Sequence, residues 1–411
     1  MKKGGILFKE NKNKKMSKLV KRIITITLSA VLGIILILAL VVGITWRNEI
    51  KTLASIKEIM PGGGEDGYVY EMTIHGDYFL DDYVSQGGIA NDKELIKFLT
   101  GKITRGLFNL SIEESEIGCS SFSVKAENGD SIFGRNYDMS KTNVAIVHTK
   151  PKGRYQSIST VDLNFVGVDP DSKMKGIGSK FNTLAAAYAP LDGMNEKGLT
   201  LGIFMSYQGP NNESYSTDQN DPTKPNATST VLLRMMLDYA ATVDEAVAIA
   251  QRYNLHDSAN TSFHYMVADA NGDSAILEYV HGKDATDTDG TLRQLNVIRK
   301  GDVQDLSGTD KYQIITNFII TPGYYNEGDM KRGEDRYNII KQALSERGGK
   351  VSNLEDAMDV LSLVGVNVTG LNGKKFYTIH SIVFNQTTKE VIWVSNRHYG
   401  EEKYTKRYKL K

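Results

Sequence analysis

The sequence predicts an α+β fold of antiparallel sheets covered by helices, preceded by one membrane-spanning helix. Three observations predict it. Four pairs of apolar-rich segments flank short turn signatures, at Asn128-Gly129, at 192–197, at Asn271-Gly272 and at 385–389, which is hairpin grammar. Four stretches with helical spacing, 229–241, 243–252, 335–346 and 353–364, are grouped between those hairpins. That arrangement suits helices layered on antiparallel sheets. Residues 23–46 carry no charged side chain and are dominated by Leu, Ile and Val, and about 20 such residues suffice to cross the hydrocarbon of a bilayer.

The amino terminus sets the topology. Residues 1–22 hold nine basic side chains against a single acid, Glu10, so the rest of the neutral chain carries a net −8. Basic residues before the apolar run keep residues 1–22 in the cytoplasm as a basic tail and send everything after Arg47 outward. A cleaved signal peptide has a shorter apolar core and ends in small residues. Here the run ends Gly43-Ile44-Thr45-Trp46-Arg47 with no Ala-x-Ala, so 23–46 is read as a transmembrane anchor in the cell membrane.

Beyond the anchor, 47–65 reads as a juxtamembrane linker ending in Pro61-Gly62-Gly63-Gly64. Alternation over 68–83 predicts short strands, and Leu95, Ile96, Leu99, Ile103 and Leu107 predict a helix over 91–110 capped by Asn91. The acidic stretch 111–116 follows, a segment that is easy to cut. The expected hairpins pair 121–126 with 131–134, 182–189 with 198–205, 264–269 with 274–279, and 377–384 with 390–395. At 411 residues the chain has room for one large or two ordinary domains. No internal repeat or low-complexity segment is visible.

Composition excludes several functions. An acidic body argues against nucleic acid, whose phosphates demand clustered Lys and Arg. No His-x-His or Cys-x-x-Cys occurs, so no metal is expected. His264 and His380 alternate with apolar residues and read as core or rim residues, and Asn195 reads as turn chemistry.

The single cysteine carries the chemistry. One cysteine in an exported chain cannot close an internal disulfide, and Glu116 spoils a lipid-attachment motif. A thiol near pKa 8.5 needs a base or a nearby cation. None of the seven histidines stands in a context that selects it. If the bond Gly118–Cys119 is cut, however, the freed α-amine of Cys119 is a base beside its own sulfur. A turn at Asn128-Gly129 would return Arg135 and Asp138 toward Cys119. There a guanidinium favours thiolate and a carboxylate orients the amine. The bland alternative is a surface ion pair between Arg135 and Asp138, worth little.

Cys119-Ser120-Ser121-Phe122, Asn128-Gly129-Asp130 and Gly134-Arg135-Asn136-Tyr137-Asp138 together resemble the choloylglycine hydrolase family, the linear amide C–N hydrolases. That family includes bile salt hydrolases, penicillin V acylases, acid ceramidase and N-acylethanolamine acid amidase. Asp192-Gly193-Met194-Asn195-Glu196-Lys197-Gly198-Leu199, Thr316-Asn317-Phe318 and Asp335-Arg336-Tyr337 extend the resemblance to about Arg397. It implies a four-layer αββα sandwich of the N-terminal-nucleophile type over 119–411, preceded by a linker and prosegment at 47–118. It implies Cys119 as nucleophile, Arg135 biasing its thiol, Asp138 holding its amine, Asn317 as oxyanion donor and Arg336 completing the charge network. No cofactor is implied. Met205 falls where bile salt hydrolases carry Asn and penicillin acylases carry Tyr, and a thioether donates no hydrogen bond. Either a backbone N–H serves there or the alignment is offset. The expected function is self-processing followed by hydrolysis of an N-acyl amide, lipid-like where the site faces the outer membrane surface. The prosegment is expected to stay bound to the catalytic fragment. An acyltransferase using the same acyl-enzyme and an inert tethered binding protein are the alternatives.

Overall fold

The computed structural model describes residues 4–106, 118–259, 261–280, 293–303, 309–369, 373 and 375–411. The chain divides into two compact units, 1–51 and 52–411. In the first, one helix runs from Gly4 to Thr45, and its portion Ser17–Thr45 is long and apolar enough to cross a membrane. A signal sequence near the amino terminus would pass the same test of length and composition.

The second unit is built on two sheets. Its strands in chain order begin with β1 (Lys57–Met60), β2 (Val69–Ile74), β3 (Gly118–Ala126), β4 (Ser131–Met139), β5 (Val144–Thr149) and β6 (Ser157–Asp162). Next come β7 (Asp192–Asn195), β8 (Thr200–Met205), β9 (Asn226–Thr228), β10 (Asn254–His256), β11 (Phe263–Ala268), β12 (Ser274–Val280) and β13 (Gln294–Arg299). The last are β14 (Tyr312–Ile315), β15 (Lys350–Val351), β16 (Asn367–Thr369), β17 (Lys375–Asn385), β18 (Glu390–Ser395) and β19 (Thr405–Lys409). One sheet has the order β1-β2-β5-β6-β7-β8-β11-β12-β13. The other has the order β14-β3-β4-β17-β18-β19, with β15 beside β3 and β16 beside β17.

Helices cover both outer faces. Ser229–Tyr239 packs on β7 and β8, and Val243–Arg252 on β11, β12 and β13. On the far side Glu334–Glu346 packs on β3 and β14, and Leu354–Ser362 on β4 and β17. The sheets meet each other through β3 and β8. The four-layer αββα sandwich is therefore present. Because both faces of each sheet are covered, all nine residues of β4 are buried, Arg135, Asn136 and Asp138 included. Buried charges of that kind are held only where partners surround them, which already marks β4 as more than scaffold.

Four sequence expectations are corrected. The stretch 47–65 is not a free linker: Lys57–Met60 is an edge strand paired with β2. Within 68–83 only Val69–Ile74 is a strand, and Leu80–Ser85 is helical. Residues 182–189, Ala-rich and short of β-branched side chains, form a buried 3₁₀ segment, Thr183–Tyr188, rather than a strand. The expected turn at 192–197 is largely strand β7, and it is β7 that pairs with β8. Asn91 does cap a helix, accepting from Glu94 N–H at 2.9 Å, but that helix spans Asp92–Lys102. Residues 107–117, including the acidic stretch, lie outside the described residues.

Candidate active site

The spacing of Arg135 and Asp138 from Cys119 acquires its meaning from strand parity. β3 and β4 pair antiparallel with Cys119 opposite Tyr137, Gly118 opposite Asp138 and Ser121 opposite Arg135. Successive strand residues face opposite sides of a sheet. Cys119 and Arg135 therefore share the inner face toward β8, whereas Asp138 shares the outer face with Gly118 and Ser120.

On the inner face, Arg135 Nη2 lies 3.3 Å from Cys119 Sγ and 2.6 Å from the Ile203 carbonyl oxygen. Its Nη1 donates to Asp192 Oδ2 at 2.8 Å and to the Leu191 carbonyl. The guanidinium stacks 5.0 Å from the centre of the Phe204 ring. A Cβ on Gly202 would stand 3.2 Å from Arg135 Cδ, so the bare backbone there leaves the arginine its place. Asp192 also accepts from His380 Nε2 at 2.8 Å. Burial would raise the Asp192 carboxyl, but His380 and Arg135 outweigh it and hold it below the usual carboxylate range. Arg135 is the reverse case: burial opposes its charge, and Cys119 and Asp192 raise its pKa nonetheless.

On the outer face, Arg336 reaches in from the first turn of the Glu334–Glu346 helix. Its Nη1 donates to the Cys119 carbonyl at 2.5 Å, Ser120 Oγ at 2.6 Å and Asp138 Oδ2 at 3.1 Å. Thr378 Oγ1 donates to Asp138 Oδ1 at 2.6 Å. Burial pushes the Asp138 carboxyl up despite Arg336 and Thr378. A Cβ on Gly118 would lie 3.3 Å from Asp138 Oδ2, which places this carboxylate directly beside the Gly118–Cys119 peptide.

Asn317, just past β14, closes the group. Its Oδ1 accepts from Cys119 N–H at 3.0 Å and from Arg336 Nη2 at 2.7 Å, and its Nδ2 donates to the Met205 carbonyl at 2.8 Å. Two donors facing one oxygen fix which way the amide points. The Cys119 side chain is fully buried, and burial pushes its thiol up, against the lowering influence of Arg135.

All five expected residues, Cys119, Arg135, Asp138, Asn317 and Arg336, thus meet in one place. The bland reading of Arg135 and Asp138 as partners does not hold: they sit on opposite faces, Arg135 paired with Asp192 and Asp138 with Arg336. The sequence reading missed Asp192, His380, Thr378 and the carbonyls of Leu191 and Ile203. Asp192 was visible at the head of the second hairpin motif but read as turn; the others carry no motif. Asn195 performs turn chemistry, donating to Leu237 and Ala240 carbonyls and accepting from Lys197 and Leu199 N–H.

Residues 119–285 match the family model described as linear amide C-N hydrolases, choloylglycine hydrolase family. Over this segment the chain is similar to that family. The choloylglycine-type match begins at Cys119, the residue around which the site is assembled. Among curated relatives, penicillin V acylase of Pectobacterium atrosepticum is 30% identical over 115 residues, covering 26% of this chain and 30% of that protein. Among solved structures, conjugated bile acid hydrolase from Clostridium perfringens aligns at a TM-score of 0.47 and 15% identity, over 71% of this chain and 97% of that one. A Caenorhabditis elegans ortholog of N-acylethanolamine-hydrolyzing acid amidase aligns at 0.41 and 17% identity, over 71% and 100%.

Proposed function

We propose that this chain is a membrane-anchored cysteine amidase that first cuts itself before Cys119 and then hydrolyses the amide bond of an N-acyl compound with an apolar acyl group. The observation that carries the reading is a thiol 3.3 Å from a buried guanidinium, with its own main-chain nitrogen bonded to Asn317 and flanked by Asp138.

While the peptide before Cys119 is intact, its nitrogen is an amide and cannot act as a base. Attack of Sγ on the Gly118 carbonyl would form a thioester as the C–N bond breaks and the nitrogen takes a proton; water then opens the thioester. The freed amine would stand between Asn317 Oδ1 and the Asp138 carboxylate. In the second reaction the amine takes the thiol proton, sulfur attacks the substrate carbonyl, and the amine returns the proton to the leaving nitrogen. Asn317 Nδ2, turning from the Met205 carbonyl, would receive the oxyanion. In an antiparallel strand a residue's N–H and C=O point to the same side. Since Met205 turns its carbonyl to Asn317, its N–H faces the site as well, which supports a main-chain second donor where the Met205 side chain has none. One oxyanion donor is worth about 3 kcal/mol of barrier.

An apolar acyl group is favoured by a partly open cavity of about 40 Å³ on the face of β8 opposite Arg135, lined by Leu95, Leu99, Tyr188, Leu191, Ile203 and Phe263 among others, which an acyl chain would reach by passing the end of β8. Ile203 presents its carbonyl 3.8 Å from Cys119 Sγ. Leu95 and Leu99 come from the Asp92–Lys102 helix, so the segment upstream of the cut forms part of the wall, and a long chain would require that helix to shift.

The test is a screen of purified protein against N-acyl amino acids, N-acylethanolamines, ceramide, conjugated bile salts and penicillin V. Turnover rising with acyl chain length, and absent in Cys119→Ala, is expected. Turnover of none of these, or activity surviving in Cys119→Ala, would overturn the reading; a new amide formed when an amine acceptor is added would instead assign an acyltransferase. For the anchor, protease added to intact cells should digest the part after Arg47, and full protection until lysis would reverse the orientation.

A further inference from the structure

His264 lies on β11 and Glu278 on β12, and both are buried, with side-chain exposures of 1% and 0%. His264 Nε2 is 3.0 Å from the Thr316 carbonyl oxygen, and its Nδ1 is 3.1 Å from Glu278 Oε1. A carbonyl can only accept, so Nε2 carries a proton. Glu278 is the acceptor for three other donors: Ile320 N–H at 2.7 Å on Oε1, and Thr321 N–H at 2.9 Å and Thr321 Oγ1 at 2.7 Å on Oε2. Asn296 Nδ2 donates to Thr321 Oγ1 at 2.7 Å, which leaves the threonine proton directed at the carboxylate. Glu278 thus meets three donors from the Ile320–Thr321 segment and His264 Nδ1 with one carboxyl group.

The consequence falls on Asn317. The segment from Thr316 to Thr321 is gripped at both ends by this pair, at the Thr316 carbonyl by His264 and at the Ile320 and Thr321 amides by Glu278. Asn317 sits inside the grip, and its own carbonyl accepts from Tyr207 N–H at 2.9 Å. We propose that His264 is a positioning residue: bridging the Thr316 carbonyl and Glu278, it fixes the main chain at Thr316 and so sets where the Asn317 amide stands beside Cys119. The inference rests on the reading of Asn317 as an oxyanion donor. It gives a site role to a histidine that does not touch the thiol, and whose hydrogen bonds hold backbone geometry rather than move a proton.

The experiment compares full-length protein in detergent with His264→Phe, His264→Gln and Glu278→Gln. Three quantities are read: kcat and KM on the best amide of the screen, the rate of Cys119 alkylation by iodoacetamide, and affinity for an alkyl aldehyde. The aldehyde adds to the thiol to give a thiohemiacetal, in which the S–C bond forms and the former carbonyl oxygen takes up the charge or proton, so it needs the oxyanion donor without any turnover. His264→Phe should lower kcat about 10- to 100-fold with KM and alkylation within about twofold, and should weaken aldehyde binding by a factor matching the loss in kcat. His264→Gln, which keeps one donor, should recover part of both. Unchanged kcat and aldehyde affinity in a folded His264→Phe protein would overturn the proposal, as would kcat, alkylation and melting temperature falling together. Glu278→Gln, which preserves shape, decides the matter if His264→Phe does not fold. Absence of any amide turnover would sink the functional reading alone, because aldehyde affinity still reports on the grip.

Discussion

At the residue scale the site depends on where charge is stored. Arg135 is buried and shares Asp192 with His380, so two cationic-capable groups lean on one carboxylate. Removing one partner of a buried pair leaves an uncompensated charge and typically costs about 3–5 kcal/mol. Asp192→Asn should therefore destabilise the fold by about 3 kcal/mol and reduce turnover at least tenfold, since Arg135 loses its brace as well as its counter-charge. The pH dependence follows in sign. The Asp192 carboxyl is held below its ordinary value in the folded state, so its stabilising contribution is present above about pH 4 and is lost as pH falls through the lower folded value. The gap in stability between wild type and Asp192→Asn should accordingly stay constant near neutrality and close in acid. A gap that is already zero at pH 7, measured by denaturant titration, would show that Asp192 does not brace Arg135.

At the element scale, β4 joins the layers. Tyr137 on β4 donates to Asp162 Oδ2 at 2.9 Å, and Thr142 Oγ1 and Asn164 N–H donate to Asp162 Oδ1, at 2.5 and 2.9 Å. Despite these three donors, burial raises the Asp162 carboxyl to about 6. A folded-state value above the unfolded one stabilises at low pH, and that contribution is lost as pH rises through about 6. Melting temperature of the wild type should thus fall between pH 4 and 7 relative to Asp162→Asn, whose amide does not titrate; parallel curves would contradict the assignment. The same strand shows what a sequence can convey. The Asn128-Gly129 turn, with Gly129 at a φ of 93°, made the β3–β4 hairpin legible and with it the approach of Arg135 and Asp138 to Cys119. The opposite faces taken by those two residues followed from odd and even spacing, yet stayed unread until β3 and β4 were seen as continuous strands. β7 was misread because both faces of its sheet are covered, which removes the in-out alternation that normally separates strand from turn. Asp192, His380 and Thr378 were illegible for a different reason: they come from β7 and β17, and no local pattern announces contacts such as His380–Asp192 and Thr378–Asp138, 188 and 240 residues apart.

At the scale of the whole molecule, cutting before Cys119 should make two chains that do not part. β1 and β2, both upstream of the cut, occupy one edge of the nine-stranded sheet, and β2 pairs with β5 over six consecutive residues, Val69 to Ile74. Arg154, from the body, donates to the Asp77 carbonyl at 2.6 Å, and Tyr78 donates to the buried Asp238. The Tyr188 hydroxyl holds the Tyr78 carbonyl at 2.7 Å. Such an interface consists of core and sheet ladder, unlike the small wet contacts that release fragments readily. The fragment beginning at Cys119 has a mass of roughly 32 kDa by proportion of chain length. Under denaturing conditions the wild type should show that band, with Cys119 as its first residue, while Cys119→Ala remains full length. Under native conditions both fragments should elute together at the size of the uncut chain, separating only in denaturant. An active enzyme whose Gly118–Cys119 bond is intact would move the base to another group. Release of the upstream fragment without loss of activity would remove Leu95 and Leu99 from the acyl pocket, and with them the argument that the segment before the cut helps choose the substrate.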